Sequence, residues 1–534
     1  MEIIKYLMLP VAVVTFSATA QVLEPDFADR ESCTSIMVGK KASTDGSVMT
    51  SHTCDGNYRA WMDIVPGKSL GHDTTAVVVT GRMHTDHSTG ARGMKEVGTI
   101  PVSGNSYSFL NTAYPCLNER QLGIGETTIS GRKELRNPKG MFMIEELERI
   151  VLQHCTTARE AIKMMGKLVK EYGYGDSGEC LTIADPNEVW QFEIFGEGPD
   201  KIGGVWAAVR IPDDEVGVSA NIPRISIINI ADTANYLASE NVFSVAKKMK
   251  LWDGKEPFKF WKAYSGGNYF GEPKAFSIRE YFILNKIAPS LGLKYDSEEL
   301  PLSVKPDNKL SAADVMNLLA ETYEGTEWDM TKNLKIERKN NKTGETDTIV
   351  SPVANPWMNR DYINLFNALC DSSVINVRNV SVPQCSYSTV IQLRDWLPDG
   401  VGGVAWVAFD NPGQSPRIPI FCGTTDLPES FKVDGQLRYD ENSALWAFRK
   451  ANKLATIKWG ETRKDIERGR VHYINKGEIE LPLIEKTYSE IADKEGIERA
   501  NEFLTDYTSD FAGAAINRWN SLSDKYWSKY GRSF

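Results

Sequence analysis

Residues 33–47 read CTSIMVGKKASTDGS. The weak alternation from Cys33 to Gly39 predicts a strand. Lys40 to Gly46 predicts a turn, with Asp45-Gly46 as its hairpin signal, and Ser47 to Ser51 predicts the returning strand. A cysteine therefore opens the first strand of a hairpin. Upstream, Lys5, the apolar run Leu7 to Phe16 and Ala18-Thr19-Ala20 have the layout of a secretory signal peptide, residues 1–20. Residues 21–32 (QVLEPDFADRES) are acidic, lack a core pattern and read as a linker or a pro-segment. A second cut after Ser32 would make Cys33 the terminal residue. A terminal α-amine has a pKa near 8, so one residue then supplies both nucleophile and base. The competing reading of Cys33 is a buried strand cysteine.

Outward from the hairpin, Gly71 to Arg82 carries a strand (AVVVT), and residues 119–129 end in β-rich sequence. Met143 to Tyr172 has apolar residues at helical spacing, with Thr157 as an internal N-cap. Residues 181–195 predict a hairpin around Asp185-Pro186-Asn187, followed by strands at Val205 to Ile211 and Val216 to Ala220. Residues 233–335 are rich in helix signals, and residues 336–347 read as a solvated loop. Strands resume at Thr389 to Leu393 and Val404 to Phe409, and from Asn442 onward the pattern is mostly helical. Strands, helices, strands, then helices favour an α+β layered body over a doubly wound sheet.

The 534 residues allow about three domains or one large domain with insertions. A hydrophobic content of 41% with 13 Trp excludes global disorder. Net charge −10 argues against a nucleic-acid partner, which needs a basic face. No run of 18 apolar residues follows the N-terminus, so no internal membrane span is expected. The eight cysteines show no CxxC or zinc spacing, and most are expected to be buried small hydrophobes. Gly123 and Gly125 lack the third glycine of a dinucleotide fingerprint. His84-Thr85-Asp86-His87 reads as a polar loop, and His154 as a packing residue on an amphipathic helix. Neither a metal nor an organic cofactor is expected.

Five blocks carry more information together. They are residues 33–47; Leu117-Asn118-Glu119 with Ile124-Gly125-Glu126-Thr127-Thr128; residues 206–223 (WAAVRIPDDEVGVSANIP); Gln392-Leu393-Arg394 with Gly402-Gly403-Val404-Ala405-Trp406; and Ala444-Leu445-Trp446-Ala447-Phe448-Arg449. In this order they resemble the dipeptidase A (PepD-type) family of cysteine peptidases, which are N-terminal-nucleophile hydrolases. The resemblance implies a four-layer αββα sandwich over residues 33–430, with a helical insertion at about 233–350 and a helical region at 431–534. It implies hydrolysis of small peptides by Cys33, with Asp55 supporting the nucleophile and Asn221 donating to the oxyanion. Backbone N–H groups near Thr127 and Thr128 are further donor candidates. Where related cysteine members carry an Arg, this chain has His52, a departure that replaces a permanent charge by a titratable one. Glu126, Arg210 and Arg394 are candidates for the charged ends of a peptide. The expected setting is periplasmic or extracellular. Two alternatives stay open: an amidase or acylase on non-peptide amides, and a secreted binding protein without catalysis. Oligomeric state is not legible.

Overall fold

The Cys33 segment leads into the strand Ser35–Val38, third in a seven-stranded antiparallel sheet. In order across that sheet the strands are Ser303–Val304, Val216–Ser219, Ser35–Val38, Val48–Asp55, Cys385–Leu393, Val404–Phe409 and Ile418–Phe421. The computed structural model describes residues 32–85, 93–199, 201–267, 274–339 and 341–532. The expected signal peptide, nearly all of the pro-segment, Asp86 and His87 lie outside those residues. A second, eight-stranded antiparallel sheet runs Tyr236–Ala238, Gly204–Arg210, Val189–Gly196, Gly178–Ala184, Gly123–Thr128, Leu117–Asn118, Phe109–Asn111 and Asp63–Val65.

The two sheets face each other, and period-2 alternation divides their side chains between two cores. Met37, Ile391 and Val407 pack with Ile124, Leu181 and Ile183 of the second sheet. Ile36, Val38, Val390 and Trp406 face the other way, onto helices. Those helices include Ile278–Ile287, Ala312–Leu318 and the long pair Trp459–Glu495 and Ile497–Tyr530. The pair turns at Gly496, where φ is 97° and glycine carries no steric penalty. The helices Ile144–His154 and Ala158–Tyr172 back the second sheet, and Gly166 lets the latter seat on Trp206. Thr157 and Glu160 form the capping box between them, a cap worth about 1 kcal/mol.

The α+β class holds, with two departures in detail. Residues 335–350 form an exposed hairpin, Lys335–Lys339 with Thr346–Val350, rather than a loop. The Ile336, Thr346, Thr348 and Val350 positions suit a strand, and Gly344 at φ 77° makes the turn. Among the described residues of 233–335 there are four α-helices of ten residues or fewer, Val242–Lys248, Phe260–Ser265, Ile278–Ile287 and Ala312–Leu318, together with the short strands Tyr236–Ala238 and Ser303–Val304. None of the eight cysteines is in a disulfide, and all but Cys370 are buried. Gly125 owes its identity to packing: a Cβ there would lie 2.2 Å from the Ser51 carbonyl of the facing sheet. Among the described residues no helix is long and apolar enough to cross a membrane.

Candidate active site

Cys33 lies just before its strand, wholly buried, where one end of the first sheet meets the edge of Gly123–Thr128. Its flanks are fixed by main-chain bonds. The Ser32 N–H donates to the Asp55 carbonyl at 2.7 Å, and the Asp55 N–H returns to the Ser32 carbonyl at 3.1 Å. The Cys33 N–H donates to Asn221 Oδ1 at 3.0 Å, and its carbonyl accepts from Arg279 Nη1 at 2.7 Å.

Asn221 follows the strand Val216–Ser219, whose register opposite Ser35–Val38 sets Ser219 against Ser35. It adopts φ 66°, left-handed and uncommon outside glycine, although Asn tolerates it better than most. Its orientation is unambiguous. Oδ1 receives both the Cys33 N–H and Arg279 Nη2, while Nδ2 donates to the Thr128 carbonyl at 2.7 Å. A flipped amide would set donors against donors. Asn221 therefore holds the nitrogen of Cys33, and the Nδ2 expected to face an oxyanion is engaged with Thr128.

Asp55 ends the strand Val48–Asp55. Its Oδ2 accepts from Thr53 Oγ1 and Arg378 Nη2, both at 2.8 Å, whereas Oδ1 is buried with no partner. Arg378 Nη2 also reaches Ser32 Oγ at 2.8 Å. His52, three residues earlier, is buried against Tyr114 and Tyr387, with Nδ1 at 2.7 Å from the Glu126 carbonyl oxygen. Burial pushes its pKa down to about 4, so at neutral pH it is an uncharged ring with Nε2 unpartnered. Glu126 brings Oε2 to 3.5 Å from Cys33 Sγ. Burial first, and the Glu126 carboxylate second, raise the Cys33 thiol well above its usual range. The main-chain N–H of Asp55 acts in the opposite sense, and more weakly. The thiol is thus protonated at rest and needs a base.

Cys33 Sγ, a His52 ring nitrogen and a Glu126 oxygen lie within 4.8 Å of one another. Among the described residues this is the grouping of three donors compact enough to hold a metal ion. Thr128 Oγ1 donates to Glu126 Oε1, while Thr127 turns its hydroxyl to Ser219 Oγ at 2.6 Å, into the sheet interface. Arg210 and Arg394 are not brought to this place. Arg210 pairs with Asp213 and Glu188 beside the Gly39–Lys41 turn, at the far end of the Cys33 strand. Arg394 pairs with Glu485 and follows Leu393, which sits opposite Val48. Val48 is the other end of the strand finishing at Asp55, about 23 Å away at 3.3 Å per residue. Both guanidiniums are ion-pair members of the fold.

Residues 32–471 match the family model described as peptidase family C69. The chain belongs to that family. It is accordingly a peptidase, a hydrolase of peptide bonds. Curated relatives are similar at low identity over most of both chains. A "Probable dipeptidase" of Latilactobacillus sakei is 26% identical over 426 residues, 76% of this chain and 77% of its own. A "Probable dipeptidase B" of Lactococcus lactis subsp. lactis is 26% identical over 436 residues, covering 78% and 79%. "Dipeptidase A" of Lactobacillus helveticus is 21% identical over 444 residues, covering 80% and 82%.

In this C69 peptidase the structure adds residues that the sequence reading missed. Arg279 left a trace: Ser277 and Glu280 form a capping box, and a cation in a helix's first turn opposes the helix dipole. Such a residue is placed for a contact elsewhere, here Cys33 and Asn221. Arg378 stands in irregular chain with no local pattern. Glu148 was legible too, because it falls four residues after Ile144 and three before Val151, on the apolar stripe of its helix.

Proposed function

We propose that this C69 peptidase is an exported dipeptidase whose nucleophile is Cys33 in a matured, N-terminal form, within an N-terminal-nucleophile sandwich. The observation carrying the proposal is the clamp on both sides of one peptide bond: Ser32 held by Asp55, Cys33 held by Asn221 and Arg279. The dipeptidase names of the relatives favour the same substrate class. Export rests on the signal-like residues 1–20.

Maturation is then an intramolecular acyl shift. Cys33 Sγ adds to the Ser32 carbonyl, the C–N bond breaks, and the released nitrogen takes a proton to become the α-amine. Water hydrolyses the thioester and leaves Ser32 with a carboxylate. In turnover the α-amine, ordinarily near pKa 8, takes the thiol proton. His52 is a poorer choice, since its depressed pKa makes it a weak base. Asn221 Oδ1 and the unpartnered Asp55 Oδ1 are acceptors that turn the amine's hydrogens away and its lone pair toward sulfur. The thiolate attacks the scissile carbonyl, the ammonium protonates the leaving amine, and water cleaves the acyl-thioester. Arg279 contributes fixed positive charge beside the oxyanion. Asn221 Nδ2 joins it by exchanging the Thr128 carbonyl for the oxyanion, a donor worth about 3–4 kcal/mol.

Intact mass and N-terminal sequencing of active protein test this, with Cys33 expected as residue one. Cys33→Ala is expected to remain uncut after Ser32 and to hydrolyse nothing. Hydrolysis by a chain that begins at Gln21, or by Cys33→Ala, refutes the mechanism. Faster turnover of acylated amino acids than of dipeptides would make the enzyme an amidase.

A further inference from the structure

Beyond the thiol lies buried acid that this mechanism leaves unused. On the strand Gly123–Thr128, Thr128 is directly opposite Glu179, so Glu126, Thr128 and Glu179 share one face. The Glu126 and Glu179 carboxyls influence each other's titration. The helix Ile144–His154 adds Glu145 and Glu148, one turn apart and both without exposed surface. Among the described residues, neither oxygen of Glu145, neither oxygen of Glu148, nor Oε2 of Glu179 has a hydrogen-bond partner. A group of different chemistry joins them. The Tyr174 hydroxyl is wholly buried, has no hydrogen-bond partner among the described residues, and is pushed up by burial, then by Asp176, Glu179, Glu145 and Glu126. Arg82, which acts weakly on Glu145, is paired with Glu146, as is Arg149. Burial first pushes Glu145, Glu148 and Glu179 upward; Asp176 and then Glu146 add to it at Glu145, Glu126 and then Glu145 at Glu148, and Glu126 and then Asp176 at Glu179. Ionised carboxyl groups buried without partners cost several kcal/mol, a cost that a bound cationic group would offset.

The missing charge is not a compact metal ion shared by these four carboxyls. Among the described residues, the donors close enough to share one ion are Cys33, His52 and Glu126, not Glu145, Glu148 or Glu179. An organic ammonium fits the spacing. Standard bond lengths put an α-nitrogen about 2.5 Å from the carbonyl carbon of its own residue. In a near-attack geometry that carbon lies about 3–3.5 Å from the sulfur. Glu126 Oε2, 3.5 Å from Sγ, can therefore be reached by the amino group of the residue under attack.

We propose that Glu126, backed by Glu179 and Glu148, receives the α-ammonium of the residue whose carbonyl Cys33 attacks, restricting cleavage to the first bond of a peptide with a free amino end. This rests on Cys33 being the nucleophile. Glu126 touches the substrate; Glu179 and Glu148 are positioning residues behind it.

The test compares Ala-Ala with N-propionyl-alanine, which is the same molecule without the amine, on the matured full-length enzyme. Wild type is expected to favour Ala-Ala in kcat/KM by 100-fold or more, as a site with unpaired polar groups rejects the analogue lacking their partner. Glu126→Gln should cut that preference at least tenfold. Glu148→Gln and Glu179→Gln should cut it three- to tenfold through a higher KM for Ala-Ala, leaving N-propionyl-alanine kinetics and Cys33 alkylation by iodoacetamide unchanged. Equal turnover of both substrates through Cys33 overturns the ammonium site while the cysteine mechanism stands, as does an unchanged preference in all three variants. Wild-type activity that survives complete alkylation of Cys33 overturns both.

Discussion

Asp410 and Glu148 are carboxylates with no exposed surface, in two regions that treat them in opposite ways. Asp410 receives Arg449 Nε at 2.7 Å and Asn452 Nδ2 at 3.0 Å, with Lys453 at 3.4 Å. Burial would raise its pKa, but Lys453 and Arg449 outweigh burial and hold it below the usual range. Glu148 has burial and then Glu126 and Glu145 acting in one direction, upward, and no hydrogen-bond partner. The first arrangement locks the helix Ala444–Thr456 to the strand end at Phe409. The second leaves its carboxyl without a cation among the described residues. Depth of burial alone does not separate a structural carboxylate from a functional one; what the surroundings return to it does.

The comparison can be broken at either end. The largest effect is expected from Cys33→Ala, which should abolish peptide hydrolysis while shifting the urea-unfolding free energy by only about 1 kcal/mol. Arg449→Met strands Asp410 without its best partner and should destabilise the fold by about 3–5 kcal/mol in the same measurement, with little change in kcat. A comparable effect belongs to His52. Its folded value, about 4, lies below its ordinary 6.5, so the unfolded chain takes up that proton first as pH falls. The stability it contributes is whole above pH 6.5 and is lost between 6.5 and 4, at up to about 1.4 kcal/mol per pH unit. Wild type minus His52→Gln, measured across that range, isolates it; a flat difference contradicts the buried neutral ring. Glu148 has the opposite sign. Its folded pKa is raised, so its stabilising contribution is present at acid pH and is lost as pH climbs through the folded value. Glu148→Gln should therefore gain about 1–3 kcal/mol at pH 8 and nothing near pH 4. Equal unfolding curves at pH 8 would show that Glu148 is as well served as Asp410. The smallest effect is that of Thr157→Ala, about 1 kcal/mol from the lost cap, with unchanged activity.

Local pattern carried the parts of the fold whose causes are local. The Asp45-Gly46 turn, the Thr157 cap, the hairpin at Asp185-Pro186-Asn187 and the C-terminal helices each follow from a few adjacent residues. The exposed hairpin at 335–350 was misread because its polar residues mask a period of two. At the site, Cys33, Asp55 and Asn221 could be singled out by position and resemblance, and Glu126 by its block. Arg210 and Arg394 could not be told from substrate ligands, since an arginine's partner is chosen by sheet register rather than by its neighbours in sequence.

The sequence by itself determined the α+β class, the family and the residue carrying the thiol, because periodicity, turn chemistry and block order are properties of contiguous chain. Only the tertiary structure decided which charges meet. It brought Arg279 from a distant helix to the Cys33 carbonyl, gave Asn221 the nucleophile's nitrogen to hold, and gathered Glu126, Glu179 and Glu148 without a cation among their partners. The reason is physical: hydrophobic alternation specifies which face of an element is buried, but whether a buried charge is compensated depends on what the other layers place against it.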